Sequence, residues 1–280
     1  MHRAPTETIK KTGGSMVNEI PILLKTTHSD SELQERLQWF RQQPGCSWML
    51  TQSEEEVAEL TLTRQGVFLT NGTEKLSFHP SMALIRLINI LRGGSDRYLE
   101  ATQLKAGDTI IDATLGLGTD ALIGAWAVGD KGSVLACEQS SILAALVKDG
   151  LNHFQELIPN AKNKEKQDSW AALAQAARQV EVHWGEHGEF FGRIPSRSVD
   201  VVYFDPMFRH TRKQSDSIQP LHQWSEHSPL DQEAVVEACR IARNRVVLKE
   251  RKNSSEFRRL GFEILLGGRY SPVDYGIILV

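Results

Sequence analysis

The chain has 280 residues, 40% of them hydrophobic and 24% charged, with a formal net charge of −3. That is too apolar and too weakly charged for a disordered chain, and long enough for one large domain or an ordinary domain plus a small one. No apolar run reaches the roughly 18–20 residues of a membrane helix, the N-terminus lacks the apolar core of a secretory signal, and Cys46, Cys137 and Cys239 are too scattered for a disulfide framework or a structural zinc site, so a soluble cytoplasmic protein without a metal is expected.

Residues 1–17 are polar, with Pro5 and Gly13-Gly14, and read as a loose tail. Residues 18–95 read as a small α+β domain. Pro21-Ile22-Leu23-Leu24 suggests a strand, and Ser29-Asp30-Ser31 caps a helix through about Gln43, ended by Pro44-Gly45. Leu60–Thr63 and Gly66–Leu69 alternate as strands, and Asn71-Gly72 is the strongest turn signal in the chain. Met82, Leu84, Ile85, Leu87, Ile88 and Leu91 then keep helical spacing up to Gly93-Gly94.

Residues 96–280 change style. Short apolar runs fall at Thr109–Ala113, Ser133–Glu138, Val180–Trp184, Val199–Asp205, Val246–Lys249, Phe262–Leu266 and Gly276–Val280. The first five alternate with helical stretches, as in a parallel sheet with crossover helices. The last two lie too close together for another crossover and predict an antiparallel ending. The polar stretch 159–170 reads as a solvated loop leading into an Ala-rich helix over 170–178.

The first chemical signal is Asp112-Ala113-Thr114-Leu115-Gly116-Leu117-Gly118-Thr119-Asp120, which follows the first of these strands and enters a helix near Ala121. Glycines let backbone approach a ligand, and a helix N-terminus offers unpaired N–H groups. The spacing is neither G-x-G-x-x-G nor a P-loop. A loop that begins and ends in an acid repels pyrophosphate and suits a ligand bearing an ammonium group, such as the methionine end of S-adenosylmethionine (SAM). Glu138 closes the second strand, where an acid can accept both hydroxyls of a ribose; an acid at a strand end is common, and the loop is what gives this one its meaning.

The second signal is Asp205-Pro206-Met207-Phe208 at the end of the fourth strand. An amino group conjugated to a base or amide is a poor nucleophile. The Asp205 carboxylate and Pro206 carbonyl are two acceptors for its N–H groups and favour a pyramidal nitrogen that attacks a sulfonium methyl in line. Phe208 would stack on an unstacked base. A strand-end Asp-Pro turn without function is the competing reading.

With both signals in place, the chain resembles the RsmJ-like family of SAM-dependent methyltransferases, relatives of a guanine-N2 methyltransferase of small-subunit ribosomal RNA. The likeness is carried by IDATLGLGTDA (111–121), LAALVKDGL (143–151), VVYFDPMF (201–208) with His210, ACRIARNRVVL (238–248) and GRYSPVDYG (268–276), over about residues 100–280. It implies a class I fold, Rossmann-like, with a seven-stranded sheet whose last strand is antiparallel. It also implies SAM as cofactor, with Thr119-Asp120, Glu138-Gln139, Gly185-Glu186 and Asp205 lining its site beside Asp112, Gly116 and Gly118. The sequence departs from the family at Arg209 (a proline there), at Thr211 (a basic residue there) and at Lys249-Glu250-Arg251 (Lys-Arg-Pro there), so fold and cofactor carry over better than the nucleotide.

His183-Trp184-Gly185-Glu186-His187 matches H-x-x-E-H, but it follows a strand and contains a glycine, which excludes the helix that zinc ligation needs. His222 and His227 around Trp224 read as loop residues. Residues 209–213 carry three Lys/Arg and no acid, and residues 240–259 carry eight against Glu250 and Glu256, so the near-neutral total hides an acidic body and a basic stretch. A solvated helix face is the default reading; the position beside the expected substrate mouth supports phosphate contacts by Arg209, Arg212, Lys213, Lys249 and Arg251. The sequence therefore predicts a methyltransferase acting on an exocyclic amine of RNA, most concretely guanine N2 in ribosomal RNA or the small subunit. The rivals are methylation of DNA adenine or a protein glutamine, and a non-catalytic RNA-binding or ribosome-assembly factor.

Overall fold

The computed structural model describes residues 22–49, 58–72, 74–160, 163–206, 229–265 and 271–280. Two sheets organise them. The first has five strands in the order β2-β1-β3-β4-β5, made of β1 (Ile22–Thr26), β2 (Trp48–Met49), β3 (Ala58–Thr63), β4 (Gly66–Asn71) and β5 (Glu74–Leu76). Helix α1 (Ser31–Arg41) starts where Asp30 accepts the Leu33 N–H, and it turns Leu33, Leu37 and Phe40 inward. β3 and β4 form a hairpin around Arg64-Gln65. The expected turn at Asn71-Gly72 joins β4 to β5, with Gly72 at φ 65°. Helix α2 (Ser81–Leu91) follows, burying Ala83, Leu84 and Leu87, and short α3 (Arg97–Thr102) leads into the second sheet.

That sheet has seven strands in the order β11-β12-β10-β9-β6-β7-β8. They are β6 (Thr109–Asp112), β7 (Ser133–Glu138), β8 (Val180–Trp184), β9 (Val199–Phe204), β10 (Ala242–Arg251), β11 (Glu263–Leu265) and β12 (Val273–Leu279). β8, β7, β6, β9 and β10 run parallel, and β12 lies antiparallel between β10 and β11, as the short final connection predicts. β6 is central, and the strand order reverses beside it, so the crevice outside its carboxyl end is where such sheets bind ligands. Alternation along the strands sorts side chains to two faces. Ile110, Val201, Tyr203 and Val247 share a core with α4 (Thr119–Val128), α5 (Ser141–Asn152) and α6 (Lys164–Ala177). Ile111, Val202, Phe204, Val246 and Leu248 pack with α7 (His187–Phe191) and with the helices Gln232–Ile241 and Glu256–Leu260.

The first of these cores also takes in Leu24, Phe40, Leu60, Leu69, Phe78 and Leu87, so both sheets drain into one buried cluster. One expectation about the elements is overturned. Residues 164–170 are not part of a solvated loop, because α6 begins at Lys164 with Asn163 accepting the Lys166 N–H. Ser169 and Trp170 are buried there, and Trp170 packs edge-on against Phe154. Propensity marked the stretch as polar; tertiary contact made it a helix.

Candidate active site

The β6–α4 loop turns sharply. Gly116 and Gly118 adopt φ 53° and 74°, conformations that glycine takes without a steric cost, and Gly118 caps α4 with no side-chain hydrogen bond. Asp112 lies beneath the loop, almost fully buried, accepting the Thr114 N–H at 3.1 Å. Burial and the nearby Asp120 carboxylate push its carboxyl well above the ordinary range. Glu138, across the loop at the end of β7, accepts the N–H groups of Gly116 and Ser140, each at 2.9 Å. Burial raises its carboxyl to about 7, against those hydrogen bonds. The glycine loop and the β7 acid, 22 residues apart, are thus one hydrogen-bonded unit.

Asp205 emerges just beyond β9, beside the same loop: its N–H donates to Thr114 Oγ1 at 2.6 Å. Its carboxylate is not alone. Lys249 Nζ, on β10, donates to Asp205 Oδ2 at 2.6 Å and to Asp120 Oδ2 at 3.1 Å. Asp120, in the first turn of α4, also accepts from the Tyr203 hydroxyl at 2.7 Å and from Arg86 Nη1. Arg86 belongs to α2 and is itself fixed by both Asp96 oxygens, at 2.9 and 3.0 Å. Burial opposes the Lys249 ammonium, yet Asp120 and Asp205 raise it well above its usual range. Burial likewise opposes ionisation of Asp120, but Lys249 and Arg86 outweigh it and hold that carboxyl low. Burial pushes Asp205 up, and Lys249 pulls it back toward the ionised form.

Three expectations change on this geometry. Lys249, read as a phosphate contact, is about one-fifth exposed and gives its ammonium to two carboxylates. Asp120, read as a ligand for the methionine end, has both oxygens engaged by Arg86, Tyr203 and Lys249. The basic stretch is half-buried to exposed, but much of it is bonded within the chain: Arg240 bonds the Phe191 and Ile194 carbonyls, Arg243 meets Asp200, and Arg245 reaches the Ala101 carbonyl. Arg251 is exposed at the end of β10.

Thr119 opens α4, and the Gln139 carbonyl accepts the Trp184 indole N–H at 3.1 Å. Gly185, at φ 144°, has open space where a side chain would be, and exposed Glu186 precedes α7. The H-x-x-E-H stretch is strand, turn and short helix, and among the described residues no cluster could hold a metal ion. A cavity of about 210 Å³ opens beside Gly185 and Glu186, between α5, α7 and Pro44, but neither Asp205 nor the glycine loop lines it. Phe208, Arg209, Arg212 and Lys213 lie outside the described residues. Sequence reading missed Arg86, Asp96 and Tyr203. Tyr203 could have been found, since it lies near the end of the strand that leads into Asp205, two residues before it; Arg86, on another sheet's helix, left no local signal.

A family model described as "Putative SAM-dependent methyltransferase" matches residues 45–260. Protein YpiP of Bacillus subtilis (strain 168), described as uncharacterized, is 36% identical over 230 residues, 82% of this chain and 84% of that protein. The ribosomal RNA small subunit methyltransferase J of Alteromonas mediterranea is 26% identical over 258 residues, 86% of this chain and 90% of the relative. Its counterpart in Aeromonas salmonicida is 31% identical over 162 residues, 56% and 59% of the two chains. Among solved structures, the SAM-dependent methyltransferase NGO1261 from Neisseria gonorrhoeae superposes with a TM-score of 0.59 at 19% identity, covering 92% of this chain and 95% of that one. The fold is the class I methyltransferase fold, with its one reversed strand and a smaller N-terminal sheet.

Proposed function

The chain belongs to this SAM-dependent methyltransferase family, and from that premise we propose that it methylates an exocyclic amine of RNA, with guanine N2 of small-subunit ribosomal RNA as the leading target. The observation that carries the reading is the placement of the Asp205 carboxylate and the following Pro206 at the carboxyl end of β9, against the glycine loop and paired with Lys249. Two relatives named as ribosomal RNA small subunit methyltransferases support the substrate class.

SAM is the cofactor of the family, and the residues present fit it. The uncapped N-terminus of α4, the two left-handed glycines and the open space at Gly185 leave backbone approachable on both sides of Glu138. When bound, SAM supplies a methyl group made electrophilic by its sulfonium. Glu138 would hold the ribose hydroxyls, and Gly116, Gly118 and Thr119 would offer backbone to the methionine end. Gln139, Gly185 and Glu186 would complete the lining on the nucleoside side. Asp205 and the Pro206 carbonyl accept the two N–H groups of the substrate amine and orient its lone pair, which is catalysis by position and local charge. Phe208 is assigned the stacking of the extruded base, and Arg209, Arg212, Lys213 and Arg251 the binding of RNA phosphates, on the sequence pattern alone.

Transfer of labelled methyl from SAM to ribosomal RNA and small subunits from a deletion strain, with nuclease mapping of the product, tests this directly. Duplex DNA and protein run in parallel. Label in RNA that disappears with Asp205→Ala, while SAM binding persists, is the expected result. Label confined to DNA or protein, or absent from RNA and subunits alike, overturns it.

A further inference from the structure

We propose that Lys249 and Arg86 are positioning residues for methyl transfer: Lys249 aims the Asp205 carboxylate at the substrate amine, and Arg86 anchors the Asp120 carboxylate that steadies Lys249. The inference rests on the reading of Asp205 as the acceptor for that amine.

The geometry is a relay of alternating charge that crosses five elements. Asp96 caps α3 and grips Arg86 of α2 with both oxygens, at 2.9 and 3.0 Å. Arg86 turns its remaining nitrogen to Asp120 Oδ1 on α4. Asp120 Oδ2 receives both the Tyr203 hydroxyl and the Lys249 ammonium, at 2.7 and 3.1 Å. Lys249 then bonds Asp205 Oδ2 at 2.6 Å, which leaves Oδ1 as the oxygen assigned to the amine.

Each link removes a freedom that matters for the chemistry. A carboxylate at a strand end rotates about two bonds, and a lysine stem about four; an ammonium pinned between two carboxylates fixes the plane of Asp205 relative to the loop. Lys249 keeps its proton between those two anions, so it is not a base, and its contribution is charge and direction. A buried carboxyl beside other acids would otherwise protonate and lose its capacity to accept two hydrogen-bond donors. Among the described residues, the groups that act on Asp205 include Asp112, Asp120, Glu250, Tyr203, Tyr275 and Arg86 besides Lys249, and of these the two cations favour its ionised form. One of those cations comes from α2, upstream of the methyltransferase sheet, so the N-terminal unit supplies part of the charge balance of the site.

The test uses the full-length protein as wild type, K249M, K249R and R86M, each checked for folding by thermal unfolding. Two readouts are taken: the pH profile of kcat/KM with small-subunit RNA, and the carboxyl titration of Asp205 by carbon-13 NMR, assigned with D205N. Removing a cation disfavours the carboxylate, so the Asp205 midpoint and the acid limb move up in K249M by about 1–3 pH units. They move in the same direction by less in R86M. In K249M kcat falls about 100-fold with SAM affinity retained, and K249R restores the midpoint. R86M leaves Lys249 in place and carries the test alone if K249M does not fold. Midpoints unchanged in folded variants, whatever their activity, overturn the inference, because a merely structural role lowers the rate without moving the titration. Midpoints that move in a protein whose wild type transfers no methyl to RNA overturn the proposed function and leave the charge relay standing.

Discussion

At the scale of single residues, Glu138 illustrates how burial sets a ligand's pH response. Its carboxyl is raised to about 7 by burial, although it accepts two backbone N–H bonds. Ribose hydroxyls donate to the ionised form, so binding lowers that value, and affinity is full above 7 and lost as pH falls through it. SAM affinity measured by calorimetry is expected to weaken about ten-fold between pH 8 and pH 6, with proton release on binding at the lower pH. Glu138→Gln should bind more weakly and with a flat profile; an unchanged pH dependence in that variant would assign the titration elsewhere. Glu138 was legible from its position after a strand, whereas its hydrogen bond to Gly116 required the fold to bring the loop across.

At the scale of elements, α5 is seated by one residue. Gly150 faces Phe78, and a Cβ there would overlap the aromatic ring, which in turn stands edge-on to Phe154 at 6.2 Å. Alanine in place of glycine ordinarily stabilises a helix by about 0.8–1 kcal/mol, and overpacking of a filled core costs about 1–3 kcal/mol. The second effect wins here. Gly150→Ala should therefore lose stability by about 1 kcal/mol in urea unfolding, and adding Phe78→Leu should recover part of it. A Gly150→Ala protein more stable than wild type would show that the ring moves aside freely. The same element scale explains α6: polar composition suggested a loop, and the cap at Asn163 with buried Trp170 decided for helix.

At the scale of the whole molecule, the N-terminal sheet is tied to the methyltransferase sheet by more than apolar contact. Arg36 of α1 meets Asp149 of α5 through two parallel bonds, at 2.7 and 2.6 Å, and both side chains are nearly excluded from water. Breaking such a pair from one side leaves a buried charge and costs about 3–5 kcal/mol, far more than an exposed pair such as Arg92–Glu165. Arg36→Met should lower the melting temperature sharply, and Arg36→Met with Asp149→Leu should restore most of the loss. A single variant as stable as wild type would show that the two sheets do not depend on this contact. No helix among the described residues is long and apolar enough to cross a membrane.

The sequence by itself determined the strand sequence of the second sheet, the antiparallel ending, the glycine loop, the acid at the end of β7 and the Asp-Pro motif, while β2 and β5 of the first sheet left no such pattern. The legible features rest on local patterns, a period of two, a turn residue or a short motif, and each acts within a few residues. Only the tertiary structure decided that Lys249 belongs with Asp205, that Asp120 is held between two cations, and that Arg86 arrives from the other sheet. The basic stretch shows the reason. Composition records how many charges a segment carries, but their partners lie up to 144 residues away, as for Arg245 and the Ala101 carbonyl. Whether a charge faces solvent, a phosphate or a buried carboxylate is settled by packing, which no local pattern encodes.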